Sequence, residues 1–264
     1  MNKLKYEKLL KQKKIKPITC LTAYTISIAK ILDGKVDLIL VGDSLGTVLY
    51  GMKNTRQTTL QMMKEHGKAV VNNVKKSATI IDMPYNSYQN KKQALKNAKE
   101  IIKYTKVDLI KLETDEKKIK IVKHLTKNKI NVVSHVGVTP QKYSNFNKIK
   151  IVGKNNKESQ SLITLAKNLE KAGSKFIVLE CMKQSVAKKI TNLLKIPTIG
   201  IGASKYCDGQ VLVINDLLNL NSEQKKPKFV KKYINLEKII STAVKKFTTD
   251  VLKKRYPSKK YSYF

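Results

Sequence analysis

Short runs of β-branched and aliphatic residues alternate with longer amphipathic stretches along almost the whole chain, and this alternation limits the possible folds more than any other feature. Such an order is typical of parallel strands joined by crossover helices. Runs such as 38–41 and 176–179 are apolar without interruption, so both faces of these strands must be covered. The eight predicted strands occupy residues 17–23, 37–43, 78–84, 109–113, 131–136, 176–180, 197–202 and 211–216.

The stretches between these strands predict helices, because their apolar residues recur at helical spacing and their other face is rich in lysine. The seventh connection, residues 203–210, is too short for a full helix. We therefore predict a single (β/α)8 barrel domain over residues 1–264, since a closed barrel with outer helices covers every strand. A doubly wound open sheet is the alternative, which the lack of a marked glycine-rich first turn disfavours. Predicted helices occupy residues 26–33, 59–75, 91–104, 116–127, 157–171, 185–194 and 236–252.

The two ends of the chain are lysine-rich, and we expect residues 1–16 and 222–264 to cover the ends of the barrel or to reach a neighbouring subunit. No apolar run approaches the ~18 residues of a membrane span, and no apolar segment of the signal-peptide kind follows the lysine-rich start. The sequence therefore predicts a cytoplasmic protein without a membrane partner. Cys20, Cys181 and Cys207 form no CxxC pair, so we expect free, mostly buried thiols.

The formal net charge of +35 would by itself favour a polyanionic partner such as nucleic acid. Only Arg56 and Arg255 are arginines, however, and specific recognition of bases and phosphates relies on the bidentate guanidinium group. The lysines are scattered over predicted helices and loops, as an A+T-rich coding sequence would produce. We predict no specific nucleic acid partner. A basic barrel that binds nucleic acid is the non-enzymatic alternative, and it leaves the carboxylates described next without a purpose.

Acidic residues stand at the carboxyl ends of otherwise apolar strands, where barrels of this class carry their catalytic groups. Asp43, Asp82 and Glu113 end three sequential strands, which lie ~4.8 Å apart in a barrel, so we expect their side chains to converge. Carboxylates this close repel one another unless a cation neutralises them. Oxygen ligands without clustered Cys or His favour Mg²⁺, with Mn²⁺ as the second choice.

Three further polar residues face the same predicted mouth. Lys111 lies two residues before Glu113, so strand alternation points both side chains the same way, and its ammonium can pair with a substrate carboxylate. Glu180 ends the sixth strand across the barrel and is our candidate general acid or base. His135 ends the fifth strand and is a possible accessory group that binds an anion or polarises a carbonyl. For His66 and His124, on predicted helices, we expect structural or surface roles.

Four segments resemble one enzyme family: DLILVGDSLG at 37–46, VGVTPQ at 136–141, IVLEC at 177–181 and PTIGIGASKYCDGQVLV at 197–213. They are similar to the 3-methyl-2-oxobutanoate (ketopantoate) hydroxymethyltransferases, and the resemblance extends from about residue 18 to about residue 233. It implies a (β/α)8 enzyme of the phosphoenolpyruvate/pyruvate class. Such an enzyme transfers a one-carbon unit from 5,10-methylenetetrahydrofolate to 3-methyl-2-oxobutanoate through a Mg²⁺-stabilised enolate. The product is 2-dehydropantoate, a precursor of pantothenate and coenzyme A.

The resemblance also implies a homo-oligomer, commonly a ring-stacked decamer, and it assigns roles to single residues. At some positions the sequence departs from the family pattern: Asn86, Thr114, Asp115, Ser134 and Ser204 stand where glycine is usual. Asn86 and Ser204 therefore restrict backbone angles that glycine allows freely. By resemblance, Asp43 and Asp82 bind magnesium and substrate, Glu113 is the third metal-linked acid, Ser44 and Lys111 contact substrate, and Glu180 is the catalytic acid or base.

A lyase or phosphonate mutase is the enzymatic alternative, because such enzymes share the barrel and also stabilise the enolate of a 2-oxo acid. Their catalytic cysteine loop is not apparent in this sequence. Cys181 and Cys207 have neither the expected neighbours nor a position near the fifth strand.

Overall fold

Eight parallel strands close into a barrel in sequential order in the computed structural model, which describes residues 5–145, 150–220 and 227–263. Each strand pairs with the next in parallel, and β1 pairs with β8 to close the ring. The predicted barrel is confirmed and the open doubly wound sheet is excluded. The strands are β1 Ile18–Thr22, β2 Leu38–Val41, β3 Ala78–Asp82, β4 Leu109–Glu113, β5 Val132–Gly137, β6 Phe176–Glu180, β7 Thr198–Ile201 and β8 Gly209–Leu212.

Helices connect most of the strands, and several begin at a polar residue whose side chain accepts a hydrogen bond from the first turn. Thr59, Asn90 and Asn155 cap helices in this way and satisfy backbone N–H groups that have no partner within the helix. No described helix is both long enough and apolar enough to cross a bilayer. The helices are α1 Glu7–Leu10, α2 Ile26–Leu32, α3 Leu45–Leu49, α4 Leu60–Val71, α5 Lys91–Thr105, α6 Ile119–Lys127, α7 Asn156–Lys171, α8 Gln184–Leu193, α9 Ile214–Leu217 and α10 Leu236–Leu252.

The last strand lies earlier in the sequence than predicted. β8 begins at Gly209, which pairs with Ile18 of β1, whereas Asp216 falls in α9. Closure of the ring fixes this register. The neighbouring strands β1 and β7 need hydrogen-bonding partners, and β8 supplies them from residues whose own β propensity is low. The chain divides into two compact units, residues 1–213 with the barrel and residues 214–264 with α9 and α10.

The N-terminal segment closes the amino end of the barrel, which confirms the expectation that this extension covers one end. Tyr6 and Leu9 are buried in the same core cluster as the first inward-facing residues of the strands. Tyr6 meets Phe176 edge to face, with ring centroids 6.4 Å apart. These side chains remove apolar surface from water at the end of the barrel opposite the predicted site.

Aspartates that precede even-numbered strands hold the register at this amino end. Asp208, before β8, accepts hydrogen bonds from the backbone N (2.9 Å) and Oγ1 (3.2 Å) of Thr198 on β7. Asp37 accepts hydrogen bonds from the backbone N and Oγ1 of Thr19, and Asp108 accepts them from the same two atoms of Thr79. All four distances are 2.8 Å. Asp208 also binds the Lys13 ammonium at 2.6 Å. These carboxylates are therefore structural, unlike those at the other end of the strands.

We expect Asp208→Ala to lower the free energy of unfolding by about 3–5 kcal/mol, because it leaves the Lys13 ammonium buried without its partner. The two side chains are only 9% and 3% exposed. Chemical denaturation monitored by circular dichroism measures the effect. Glu100→Ala is the matched control, since its pair with Lys64 is far more exposed and should contribute less than about 1 kcal/mol. Equal effects of the two substitutions would contradict the assignment.

Candidate functional site

Strand alternation explains why polar side chains gather in the barrel interior at its carboxyl end. The lower interior is filled by buried apolar side chains, and a residue two positions further along the same strand faces the same way. These second positions carry Asp82 after Ile80, Lys111 after Leu109, His135 after Val133 and Glu180 after Val178.

Asp82 is the centre of a buried ion pair. β3 and β4 align Asp82 with Lys111, and Lys111 Nζ donates to Asp82 Oδ1 at 2.7 Å. Its other oxygen, Oδ2, accepts the backbone N–H of Asp43 at 3.1 Å, so the loop after β2 is tied to β3. All three residues are at least nine-tenths buried. The pair thus holds two carboxylates and one ammonium together, away from solvent.

The electrostatics of this cluster show an excess of negative charge. Burial, reinforced by the charge of Asp82, raises the pKa of Asp43 to about 7 despite the opposing effect of Lys111. Burial, reinforced by Asp43, also raises the pKa of Glu113 well above its ordinary value. Burial alone would lower the pKa of Lys111, but Asp82 and Asp43 outweigh it and raise that pKa. The Lys111 ammonium therefore stays charged, whereas ionisation of Asp43 and Glu113 costs free energy.

Gln141 connects Glu113 with Asp43, and the sequence analysis assigned it no role. It lies in a single 3-10 turn, Pro140–Lys142, that follows β5. Its backbone N donates to both carboxylate oxygens of Glu113 at 3.1 Å, and its Nε2 donates to Asp43 Oδ2 at 2.7 Å. The only sequence signal for this residue was its place in the VGVTPQ motif.

Ser44 is held by a second residue without a predicted role. Its Oγ lies 2.7 Å from the hydroxyl of buried Tyr24, which follows β1. The backbone oxygen of Tyr24 in turn contacts His66 Nδ1 at 2.7 Å, and His66 Nε2 contacts the Tyr50 hydroxyl at 2.9 Å. His66 thus has the structural role that was expected of it. The chain of contacts orients Ser44 toward the end of β2.

Glu180 and His135 meet on the opposite wall. The Glu180 carboxylate is 19% exposed, and its Oε2 lies 3.2 Å from His135 Nε2. His135 is buried at 2% exposure; its Nδ1 makes no hydrogen bond to a described residue, and its Nε2 approaches Glu180 without the alignment of a hydrogen bond. A buried nitrogen without a hydrogen bond destabilises the folded state. In most proteins a ligand or an ordered water supplies the missing hydrogen bond. Gly137 is required beside them: its φ is +113°, and a Cβ there would clash with the Glu180 backbone oxygen.

A cleft of about 170 Å³ opens beside Glu113 and Gln141. Tyr85 and Tyr88 form aromatic walls, and Lys118 Nζ lies 4.6 Å from the centre of the Tyr88 ring. Asn86, on the rim, adopts a left-handed φ of +63°. Glycine favours this conformation, and asparagine is one of the few other residues that tolerate it.

The other departures from the family pattern are accommodated without left-handed backbone. Ser134 Oγ lies 2.7 Å from Ser174 Oγ in the barrel wall, and Ser204 Oγ accepts the backbone N–H of Tyr206 at 3.2 Å. Thr114 donates its hydroxyl to the backbone oxygen of His135 at 2.7 Å. Of the five positions, Asn86 alone occupies a conformation that favours glycine.

The structure brings Asp43 and Asp82 together, whereas Glu113 joins them through Gln141. Within residues 5–145, 150–220 and 227–263, no three His, Cys, Asp or Glu side chains form a group that could hold a metal ion. The metal roles of Asp43, Asp82 and Glu113 therefore stay predictions.

Comparison with known proteins gives one consistent family. A family model described as ketopantoate hydroxymethyltransferase matches residues 3–259. A 3-methyl-2-oxobutanoate hydroxymethyltransferase of Pelagibacter ubique is 52% identical over 263 residues, covering all of both chains. Enzymes of the same name from Rhizobium etli and Helicobacter pylori are 42% and 41% identical, covering 94% and 100% of this chain and 91% and 97% of theirs.

Solved structures support the fold. Phosphonopyruvate hydrolase superposes with a TM-score of 0.63 at 12% identity, covering 98% of this chain and 93% of its own. Phosphoenolpyruvate phosphomutase of Streptomyces platensis also gives 0.63, at 8% identity, covering 94% and 87%. At such identities the likeness concerns the barrel alone. The chain therefore shares its fold with a hydrolase and a mutase, whereas its close sequence relatives are hydroxymethyltransferases.

Proposed function

The chain belongs to the ketopantoate hydroxymethyltransferase family, and from that premise we propose that it transfers a one-carbon unit from 5,10-methylenetetrahydrofolate to 3-methyl-2-oxobutanoate. The product is 2-dehydropantoate, used for pantothenate and coenzyme A, and water supplies the new hydroxyl oxygen. The observation that carries the proposal is the buried cluster of Asp43, Asp82 and Lys111 at the mouth of the barrel.

A divalent cation fits this cluster by charge and by donor chemistry. Burial, reinforced by the neighbouring carboxylates, raises the pKa values of Asp43 and Glu113, and a bound cation would favour their ionised forms. Mg²⁺ commonly binds through one or two carboxylates together with substrate oxygens, so Asp43 and Asp82 suffice as protein ligands, and Mn²⁺ suits the same oxygens. When bound, the ion supplies positive charge where an enolate oxygen develops.

Lys111 and Ser44 are placed to hold the carboxylate end of the acceptor. The Lys111 ammonium donates one hydrogen bond to Asp82, and its two other hydrogens can bind an anion. Ser44, fixed by Tyr24, offers a hydroxyl at the end of β2. Burial raises the pKa of Tyr24, so its hydroxyl stays protonated and available for this contact. These contacts orient the acceptor with its C3 carbon toward the β5–β6 wall.

Glu180 is the group we assign to proton transfer. It is the most exposed of the strand-end carboxylates, and Oε2 faces His135 rather than a cation. A carboxylate in this position can remove the C3 proton of the acceptor or deliver a proton to the folate nitrogen that departs. The buried His135 ring has unused hydrogen-bonding capacity for the acceptor or for Glu180.

The folate donor suits the cleft beside Glu113. Its aromatic walls, Tyr85 and Tyr88, favour a flat ring system, and the Lys118 ammonium favours an anionic one. The Arg56 guanidinium lies 4.3 Å from the centre of the Tyr85 ring and helps to hold this side chain in place.

We also propose that the enzyme is a cytoplasmic homo-oligomer, with a decamer as the stoichiometry that the family leads us to expect. Helix α10 exposes Ile240, Val244 and Phe247 at helical spacing, each about half accessible. Contiguous apolar surface of this kind is typical of subunit interfaces. The net charge of +35 opposes association at low salt.

The test is an assay of the purified protein with both substrates and Mg²⁺, following formation of 2-dehydropantoate. We expect product only when donor, acceptor and metal are all present, loss of activity with EDTA, and recovery on adding excess Mg²⁺ or Mn²⁺. Folded protein that forms no product under these conditions would refute the proposed reaction. Salt-sensitive binding of DNA without turnover would instead favour the non-enzymatic alternative.

A further inference from the structure

Gln141 uses both ends of its side-chain amide and its backbone N–H inside the site. Its side chain is buried at 4% exposure. Nε2 donates to Asp43 Oδ2 at 2.7 Å and to the backbone oxygen of Met83 at 3.1 Å, while Oε1 accepts from the Tyr88 hydroxyl. Its backbone N donates to Glu113. One residue thus joins the loops that follow β2, β3 and β5 to the end of β4.

The orientation of this amide is decided by its partners. The Met83 oxygen, and Asp43 Oδ2 when that carboxylate is ionised, only accept hydrogen bonds, so the NH₂ group must face them. The Tyr88 hydroxyl carries a hydrogen that needs an acceptor, which the amide oxygen supplies. A flipped amide would place oxygen against two acceptors. Neither a carboxylate nor an apolar side chain of the same length can satisfy all three partners.

The amide occupies one oxygen of Asp43. Gln141 Nε2 binds Asp43 Oδ2, so a ligand of Asp43 would approach through Oδ1. Asp82 is fixed through both oxygens, by Lys111 and by the Asp43 backbone. Gln141 therefore orients Asp43, one of the two carboxylates that we propose to hold the cation.

We infer that Gln141 is a positioning residue that orients Asp43 toward the cation and acceptor, with Tyr88 fixing the orientation of its amide. The inference rests on the proposed function, because it gives Asp43 a ligand to hold. Second partners that orient metal-binding carboxylates typically change metal affinity or activity 10–100-fold when they are removed. Gln141 acts through Asp43 and touches no reacting atom.

Gln141→Met and Gln141→Glu separate orientation from space-filling. Methionine keeps the length and packing of glutamine without its hydrogen bonds, and glutamate keeps the shape but cannot donate to Asp43 when ionised. For both variants we expect Mg²⁺ affinity, measured by calorimetry in the presence of acceptor, to fall ~10–100-fold. The apparent Mg²⁺ constant in the assay should rise in proportion.

Wild-type Mg²⁺ affinity and turnover in Gln141→Met would show a packing role only and overturn the inference. Tyr88→Phe is the second variant, decisive if the Gln141 variants do not fold, because it removes one hydroxyl and retains the ring. It should weaken Mg²⁺ binding severalfold, and unchanged binding would overturn the inference. An inactive wild-type protein that nevertheless loses Mg²⁺ affinity on substitution would refute the proposed reaction and leave the positioning role standing.

Discussion

Replacing Asp82 with alanine should reduce kcat/KM by ~10²–10³-fold, the range observed when one electrostatic contact to developing charge is removed, or about 3–4 kcal/mol. The substitution removes the acceptor of both Lys111 Nζ and the Asp43 backbone N–H. Lys111 and Asp43 then lose their common anchor, and a cation at the site loses a ligand. Initial rates measured against acceptor and Mg²⁺ concentration give the size of the effect.

Two further variants make this result specific. Asp82→Asn keeps the size of the side chain and should be nearly as inactive, because its amide nitrogen would face either the Lys111 ammonium or the Asp43 N–H, both of which donate. Asp37→Asn changes a carboxylate at the opposite end of the neighbouring strand, where it binds Thr19, and should keep full activity per folded molecule. Full activity of folded Asp82→Ala would refute the assignment.

Glu180→Gln should lower kcat by ~10²–10⁴-fold, the usual contribution of a positioned acid or base, with little change in acceptor binding. Glutamine retains the shape of the side chain but neither accepts nor releases a proton. In the proposed function Lys111 and Ser44 hold the acceptor on the β2–β4 side, so its dissociation constant should stay close to that of the wild type. Steady-state kinetics combined with calorimetric titration of the acceptor separates the two quantities.

The same variant decides which proton Glu180 transfers. Exchange of the C3 hydrogen of 3-methyl-2-oxobutanoate in D₂O without the donor reports proton removal alone. Loss of this exchange in Glu180→Gln would place the residue at C3, whereas exchange at the wild-type rate with slow product formation would place it at the folate nitrogen. Glu116→Gln, an exposed carboxylate after β4, is the matched control. Unchanged turnover in Glu180→Gln would exclude both roles.

The strand ends were predictable because the sequence carries a period of two on strands that are apolar throughout. Once Ile80 and Leu109 are placed inward, Asp82 and Lys111 must face the same interior, and the same rule places Glu180. A residue before a strand and a residue at its end lie at opposite ends of a parallel barrel. The sequence thus separates Asp208, which serves the register, from Asp82, which serves the site.

The sequence by itself therefore determined the order of strands and helices, the closed barrel and the end of it that carries the polar groups. Local patterns encode these features, since side-chain direction and the hydrophobic period depend on near neighbours in the chain. Only the tertiary structure decided the partners: the pairing of Lys111 with Asp82, the support of Ser44 by Tyr24, and the bridge that Gln141 forms to Asp43. Gln141 and Asp43 are 98 residues apart, and contacts of this range arise because barrel closure brings loops from different strands to one rim.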